Sequence, residues 1–69
     1  MRKFIVLKYA KYCGFKWLAK DKNGAIYGYY EKPIKNVETW RGEGGKIHTD
    51  LDFLSWEDEE PYEINISIL

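Results

Sequence analysis

The sequence contains few of the residues on which most catalytic, redox and membrane proteins depend. Its 69 residues include one Cys, one His, one Met and two Pro. A single Cys cannot form an internal disulfide, which indicates a reducing compartment. The apolar run at residues 4–7 is too short for a secretion signal, which needs about seven apolar residues, and no stretch approaches the roughly 18 of a transmembrane helix. We therefore expect an intracellular protein that does not enter a membrane.

The net charge is also zero, but the two signs are separated along the chain. Residues 1–37 hold nine basic and two acidic residues, a net charge of +7, whereas residues 38–69 hold two basic and nine acidic residues, a net charge of −7. This pattern excludes a uniformly basic nucleic-acid binder and a uniformly acidic DNA mimic, and it allows a dipolar molecule.

Aromatic residues are what the chain has in excess. Three Trp, six Tyr and three Phe make up 17% of it, and 45% of the residues are hydrophobic, too many for a disordered segment. A chain of this length folds as one domain, residues 1–69, and buries only about 60% of its surface. Each aromatic side chain can bury about 150–250 Å², which compensates for a small core.

Residues 15–31 are the clearest structural unit, because two β-prone runs flank an Asn-Gly pair at residues 23–24, which predicts a hairpin. A two-residue loop would pair Trp17 with Tyr30. A three-residue loop with a left-handed Gly would pair Trp17 with Tyr29, and we favour it because Asp21 suits the first position of a type I turn. The favoured register has the pairs Trp17–Tyr29 and Ala19–Tyr27.

The remaining segments also predict strands and turns. Residues 4–7 are typical of a central strand covered on both faces, and residues 9–14 of a turn in which Gly14 has positive φ. We expect irregular chain at 34–45, a half-exposed strand at 46–54, one helical turn that begins with a capping box at 55–58 and runs to residue 60, and a terminal strand at 64–69. The predicted class is mainly β: a single small antiparallel sheet of about five strands, curled towards an SH3-like or OB-like barrel, with at most one short helical turn.

Catalytic and metal-binding patterns are weak. His48, Asp50 and Asp52 share one face of a predicted strand but are spread over about 13 Å, so they cannot converge on one ion without other ligands, and a solvated strand face is the better interpretation. No nucleophile has an evident base and orienting group. We expect no catalytic residue, no metal and no cofactor.

Two segments are candidate binding sites. The Gly-rich segment after residue 41 resembles an anion-binding loop, although it fails the phosphate-loop spacing and a flexible loop is favoured. The residues in and beside this segment that could bind an anion or a nucleotide are Trp40, Arg41, Gly44, Gly45 and Lys46. The acidic run at 57–60 lies between two aromatic residues, which is the pattern of an interface anchor inside a charged rim. The predicted partner-binding residues are Trp40, Arg41, Trp56, Glu57, Asp58, Glu59, Glu60 and Tyr62.

Residues 17–33 (Trp-Leu-Ala-Lys-Asp-Lys-Asn-Gly-Ala-Ile-Tyr-Gly-Tyr-Tyr-Glu-Lys-Pro) and 56–61 (Trp-Glu-Asp-Glu-Glu-Pro) resemble segments of short proteins of tailed phages and prophages. The resemblance covers about half of the chain. It implies no active site, but it implies a context, because small genes of this kind often encode proteins that bind and disable a component of the bacterial host.

We therefore expect a phage-type, non-enzymatic binding protein in the bacterial cytoplasm. It would inhibit a host factor by stoichiometric occlusion, and an antiphage defence component such as a CRISPR nuclease is the expected target. The first alternative is a sponge that sequesters a signalling nucleotide, which could bind between subunits of a homo-oligomer. The second is a small nucleic-acid-binding module, suggested by the interleaved Lys and aromatic residues of the first half.

Overall fold

The structure, a computed structural model, describes residues 2–66. Four strands form an antiparallel sheet in the order β5-β2-β1-β6, and β3 pairs with β4 in a separate two-stranded sheet. The predicted mainly β class is confirmed. The elements in chain order are α1 (Arg2–Tyr12), β1 (Trp17–Lys20), β2 (Ile26–Tyr29), β3 (Ile34–Lys35), β4 (Trp40–Arg41), β5 (Gly44–Ile47) and β6 (Tyr62–Glu63).

The four-stranded sheet is packed on both faces, because successive side chains of a strand point in opposite directions. Leu18 and Ile26 pack with Leu7 of α1 on one face, which we call the helix side. Tyr29 packs with Trp40 of β4 on the opposite face, which we call the tryptophan side. The buried core residues are Leu7, Ala10, Phe15, Leu18, Ile26, Ile47, Leu51, Leu54 and Ile64 on the helix side, and Ala19, Tyr29 and Trp40 on the tryptophan side.

The predicted hairpin and its favoured register are confirmed. Trp17 is opposite Tyr29. Gly24 has a φ of 94°, and its N–H donates to the carbonyl of Asp21 at 2.9 Å, as a type I turn requires. The Asn23 side chain accepts the N–H of Ala25 at 2.9 Å, which further fixes the loop. Ala19 is likewise opposite Tyr27.

The predicted strand at residues 4–7 and the predicted absence of more than a short helical turn are wrong, because this segment lies in the 11-residue helix α1. The helix ends in a Schellman motif. Gly14 has a φ of 99°, its N–H donates to Lys11 O at 2.9 Å, and the N–H of Phe15 donates to Ala10 O at 3.0 Å. The apolar contact that accompanies this motif is present, since Phe15 and Ala10 belong to the same core. Gly14 has the predicted positive φ, but the turn around it is shorter than residues 9–14.

The position of the Phe15 ring also explains why two residues of the sheet are glycine. Gly28 of β2 is opposite Gly45 of β5, and an added Cβ would lie 2.5 Å from the Phe15 ring at Gly28 and 3.2 Å at Gly45. At Gly44 a Cβ would overlap the carbonyl oxygen of Gly28. The glycines of the Gly-rich segment therefore let strand β5 approach β2 and the Phe15 ring closely. The predictions of a flexible loop there and of irregular chain throughout 34–45 are wrong.

The predicted strand at 46–54 ends at Ile47. After it the chain turns, with the N–H of Leu54 donating to Leu51 O at 3.1 Å, so that both leucines are buried. A two-residue turn replaces the predicted helical turn at 55–60, although its capping bonds form: Ser55 N–H donates to Asp58 Oδ2 at 3.0 Å. Strand β6 precedes the predicted strand at 64–69. Residues 64–66 are not in a strand, and 67–69 lie outside the described residues. The SH3-like or OB-like barrel stays a prediction.

Candidate binding surfaces

Trp40 and Arg41 of β4 occupy different environments. Trp40 is 6% exposed and packs against Ala19 and Tyr29. Its backbone N–H donates to Asp21 Oδ1 at 2.8 Å, which ties the two-stranded sheet to the hairpin turn. Arg41 is exposed. Trp40 therefore supports the tryptophan side from within, and Arg41 is the member of this pair that a partner can reach.

Trp56 is held in place by a lysine that the sequence reasoning missed. The Lys35 ammonium lies 4.1 Å from the centroid of the Trp56 ring and 5.6 Å from that of Trp40. It donates to the carbonyl of Trp56 and, at 2.8 Å, to the carbonyl of Asp58. A cation over an aromatic face is attracted by the ring quadrupole. Lys35 thus fixes both the half-buried indole and the chain that follows it.

The acidic turn, which we define as residues 57–60, is exposed on the tryptophan side. Lys32 pairs with Glu60 at 3.1 Å, and both side chains are largely exposed, so the pair contributes little to stability. With Lys35, two bases of the amino-terminal half therefore lie against the acids of the carboxyl-terminal half. The exposed members of the turn are Glu57, Asp58, Glu59 and Glu60.

Tyr62 lies on the other face of the sheet from the acidic turn. It is opposite Leu18, packs against the helix-side core and makes an edge contact with Phe53, with ring centroids 4.9 Å apart. The Lys3 ammonium lies 4.4 Å from the Phe53 centroid and 5.7 Å from that of Tyr62. The predicted partner-binding residues are thus divided between two faces, with Tyr62 apart from Trp56.

The possible anion site is not a loop. Gly44, Gly45 and Lys46 belong to β5, whose backbone pairs with β2, and the exposed Lys46 is opposite Tyr27. Successive amides of a strand point in opposite directions and do not converge on an anion. Arg41 and Lys46 are the two exposed cations of this set.

His48, Asp50 and Asp52 are exposed, and Asp50 pairs with Lys20 at 3.3 Å. Within residues 2–66 no group of three or more His, Cys, Asp or Glu side chains is placed to hold a metal ion. No helix in this part of the chain is long and apolar enough to cross a bilayer.

The outer face of α1 is a surface that the sequence reasoning missed. Phe4, Ile5, Tyr9 and Tyr12 are 52%, 65%, 62% and 85% exposed, on a helix without a single acidic residue. The neighbouring Cys13 side chain raises the pKa of the Tyr9 hydroxyl. The spacing i, i+1, i+5, i+8 places these side chains on one side of a helix, but residues 4–7 look like a strand when read alone. We call these four residues the α1 outer face.

Two exposed lysines, Lys8 and Lys11, lie on the same helix, and the Lys8 ammonium is 5.6 Å from the centroid of the Phe4 ring. The α1 outer face is therefore apolar and positively charged, whereas the surface around Trp56 is aromatic and negatively charged.

No protein-family model, no curated protein and no solved structure matches this chain.

Proposed function

We propose that this chain is a non-enzymatic binding protein that occludes a surface of a bacterial host protein, with the α1 outer face as the main contact. The observation that carries the proposal is the exposure of four large side chains on a packed helix. Their exposed fractions correspond to roughly 500 Å² of accessible surface. Monomeric proteins rarely expose apolar patches larger than this. A standard protein–protein interface buries about 800 Å² on each partner, so the α1 outer face supplies more than half of the area that one partner needs.

The chemistry of the helix defines the partner. Tyr and Phe are rigid anchors that lose little side-chain entropy on binding. The lysines beside them, and the absence of any acid on α1, favour a partner surface whose apolar patch is bordered by carboxylates. The resemblance of residues 17–33 and 56–61 to phage proteins supports a host protein, of which a defence nuclease is one example. We propose no second function, because the segment that suggested a nucleotide sponge is strand β5.

The proposal is tested with two matched double variants. The tagged chain is expressed in a bacterial host, a protein retained at one-to-one stoichiometry is purified, and its Kd is measured by isothermal titration. Ile5→Ser with Tyr9→Ser should weaken binding by about 30-fold or more, the loss of two interface anchors. Ile34→Ser with Val37→Ser removes two residues that are 73% and 82% exposed elsewhere, and it should leave the Kd unchanged.

An equal loss in both variants, or an unchanged Kd in the α1 variant, contradicts the α1 surface. A third variant, Glu57→Gln with Glu59→Gln, then separates the alternatives. If it alone weakens binding, and the loss disappears at high salt, the partner binds the acidic turn instead.

A further inference from the structure

A cleft of about 330 Å³ opens on the tryptophan side, away from the α1 outer face. Its volume lies at the lower end of the range of small-ligand sites, about 300–1,000 Å³. It combines one acid, two phenols, one indole and one hydroxyl. The side chains that line it belong to Asp21, Tyr27, Tyr29, Thr39 and Trp40, together with two glycines. We call it the Asp21 cleft.

Asp21 is a buried acid without a cation. It is 6% exposed, and its Oδ1 accepts the backbone N–H of Trp40 at 2.8 Å. Among the side chains of residues 3–66 the ion pairs are Lys20 with Asp50 and Lys32 with Glu60, so Asp21 takes part in neither. A carboxylate removed from water without a partner charge is costly, and a cation that enters the cleft would offset that cost.

The other groups of the cleft are neutral. Burial, the Asp21 carboxylate and Tyr27 together raise the pKa of Tyr29 to about 12, so this phenol keeps its proton and donates to Trp40 O at 3.3 Å. The indole N–H of Trp40 is buried, and no acceptor among the described residues lies within hydrogen-bond distance. The cleft thus offers one negative charge and aromatic walls.

We propose that the Asp21 cleft binds a guanidinium group. A guanidinium is planar, stacks on Tyr and Trp faces, is less strongly hydrated than an ammonium and matches a carboxylate with two parallel N–H donors. The guanidinium has two sources, an arginine side chain of a protein partner or a free small guanidinium compound. This site is independent of the proposed function, because it lies on the opposite side of the sheet from α1.

The test is an NMR titration of the full ¹⁵N-labelled chain. The probes are N-acetyl-arginine N-methylamide, methylguanidinium, and the lysine and citrulline counterparts of the arginine probe. We expect both guanidinium probes to shift the amides of Gly42 and Gly44, with Kd values on the order of 1 mM, and the lysine and citrulline probes to bind about tenfold more weakly or worse. An arginine probe that binds about fivefold more tightly than methylguanidinium, or better, assigns the source to a peptide. Equal affinity of the two probes assigns it to a free compound.

Two variants test the charge of Asp21 and the aromatic wall of Tyr27 separately. Asp21→Asn keeps an oxygen for the N–H of Trp40 and removes the charge, and Tyr27→Leu removes one aromatic wall and keeps the charge. Each should weaken the arginine probe about tenfold. If Asp21→Asn does not fold, Tyr27→Leu and the citrulline probe decide the matter. The proposal is overturned if the citrulline or lysine probe binds as tightly as the arginine probe, if the variants bind like the parent chain, or if no probe shifts the cleft resonances.

Discussion

Replacing Lys35 by Met tests whether one ammonium holds the acidic turn against the tryptophan side. Lys35 donates to two backbone carbonyls, those of Trp56 and Asp58, and its charge lies 4.1 Å from the Trp56 centroid. Met keeps most of the apolar stem, so the change removes the charge and the two hydrogen bonds while leaving the packing of the chain against the indoles.

The magnitude follows from these contacts. Two hydrogen bonds that are partly or fully exposed contribute about 0.5–1 kcal/mol each, and a partly exposed cation over an indole about 0.5–1 kcal/mol. Lys and Met lose similar rotamer entropy when they are fixed, about 1.5–2 kcal/mol, so this cost cancels. The net loss on Lys35→Met is therefore about 2 kcal/mol. For a domain of this size, with a urea slope of about 1 kcal/mol per M, the unfolding midpoint should fall by about 2 M.

Urea unfolding followed by tryptophan fluorescence measures this shift. Lys22→Met is the control, because Lys22 is an exposed lysine and no ion pair of it is present within residues 2–66. A midpoint shift for Lys35→Met of less than about 0.5 M, or one equal to the control, would refute the reasoning. Repeating the pair of measurements in the background of Trp56→Leu isolates the cation–π part, which should appear as a coupling of about 0.5–1 kcal/mol.

Three further predictions follow from other contacts. Burial raises the pKa of Tyr29 to about 12, above its unfolded value of 10.0, so its contribution to stability is complete below pH 10 and is lost as the pH rises through 12, a loss of about 2–3 kcal/mol. The urea midpoint of Tyr29→Phe should lack this part of the pH dependence, and parallel curves would contradict it. Gly28→Ala places a methyl group against the Phe15 ring and should destabilise the fold by about 2 kcal/mol in thermal denaturation; a change under about 0.5 kcal/mol would show that the ring moves aside without cost. The double variant of Ile5 and Tyr9 to Ser should change the unfolding free energy by less than about 0.5 kcal/mol, because both are largely exposed; a larger loss in circular-dichroism melts would mean that α1 needs them for its own packing.

The hairpin was predictable because its determinants are local. Asp21 at the start of the turn and Gly24 in the left-handed region select one loop length, and the loop length alone sets which residues of β1 and β2 face each other. No contact from elsewhere in the chain is needed to choose that register. The same locality explains why the capping bonds at Ser55 form although no helix follows them.

The helix α1 was not predictable in the same way. Phe4 and Ile5 are apolar but face solvent, while Leu7 and Ala10 are buried, so apolar residues occupy both sides of the helix and no helical periodicity shows. Residues 4–7 therefore read as a buried strand. The helix is decided by its Schellman end at Gly14 and by a core whose other members come from distant parts of the chain.

The candidate binding sites also differ in how far the sequence predicts them. The exposed acidic turn is visible in the sequence as a run. Lys35 is 21 residues from Trp56, and Asp21 is 19 residues from Trp40, so neither contact leaves a trace in local pattern. The Asp21 cleft exists only because β4 returns over the hairpin turn. A turn-forming Asp gives no sign that its carboxylate is buried in a cleft.

The separation of charge along the sequence becomes two faces of opposite sign only in part. On the tryptophan side, Lys32 and Lys35 of the basic half lie against the acidic turn. On the helix side, Lys3 shares a cleft with Asp50 and Asp52 of the acidic half. Antiparallel pairing brings the two halves together at each edge of the sheet, so the charges of the two halves are interleaved there and long-range steering is weak at physiological salt. The lysines beside the α1 outer face are uncompensated on their own helix, which carries no acid. Charge therefore adds selectivity to that face, and the exposed aromatic and aliphatic side chains must supply most of its affinity.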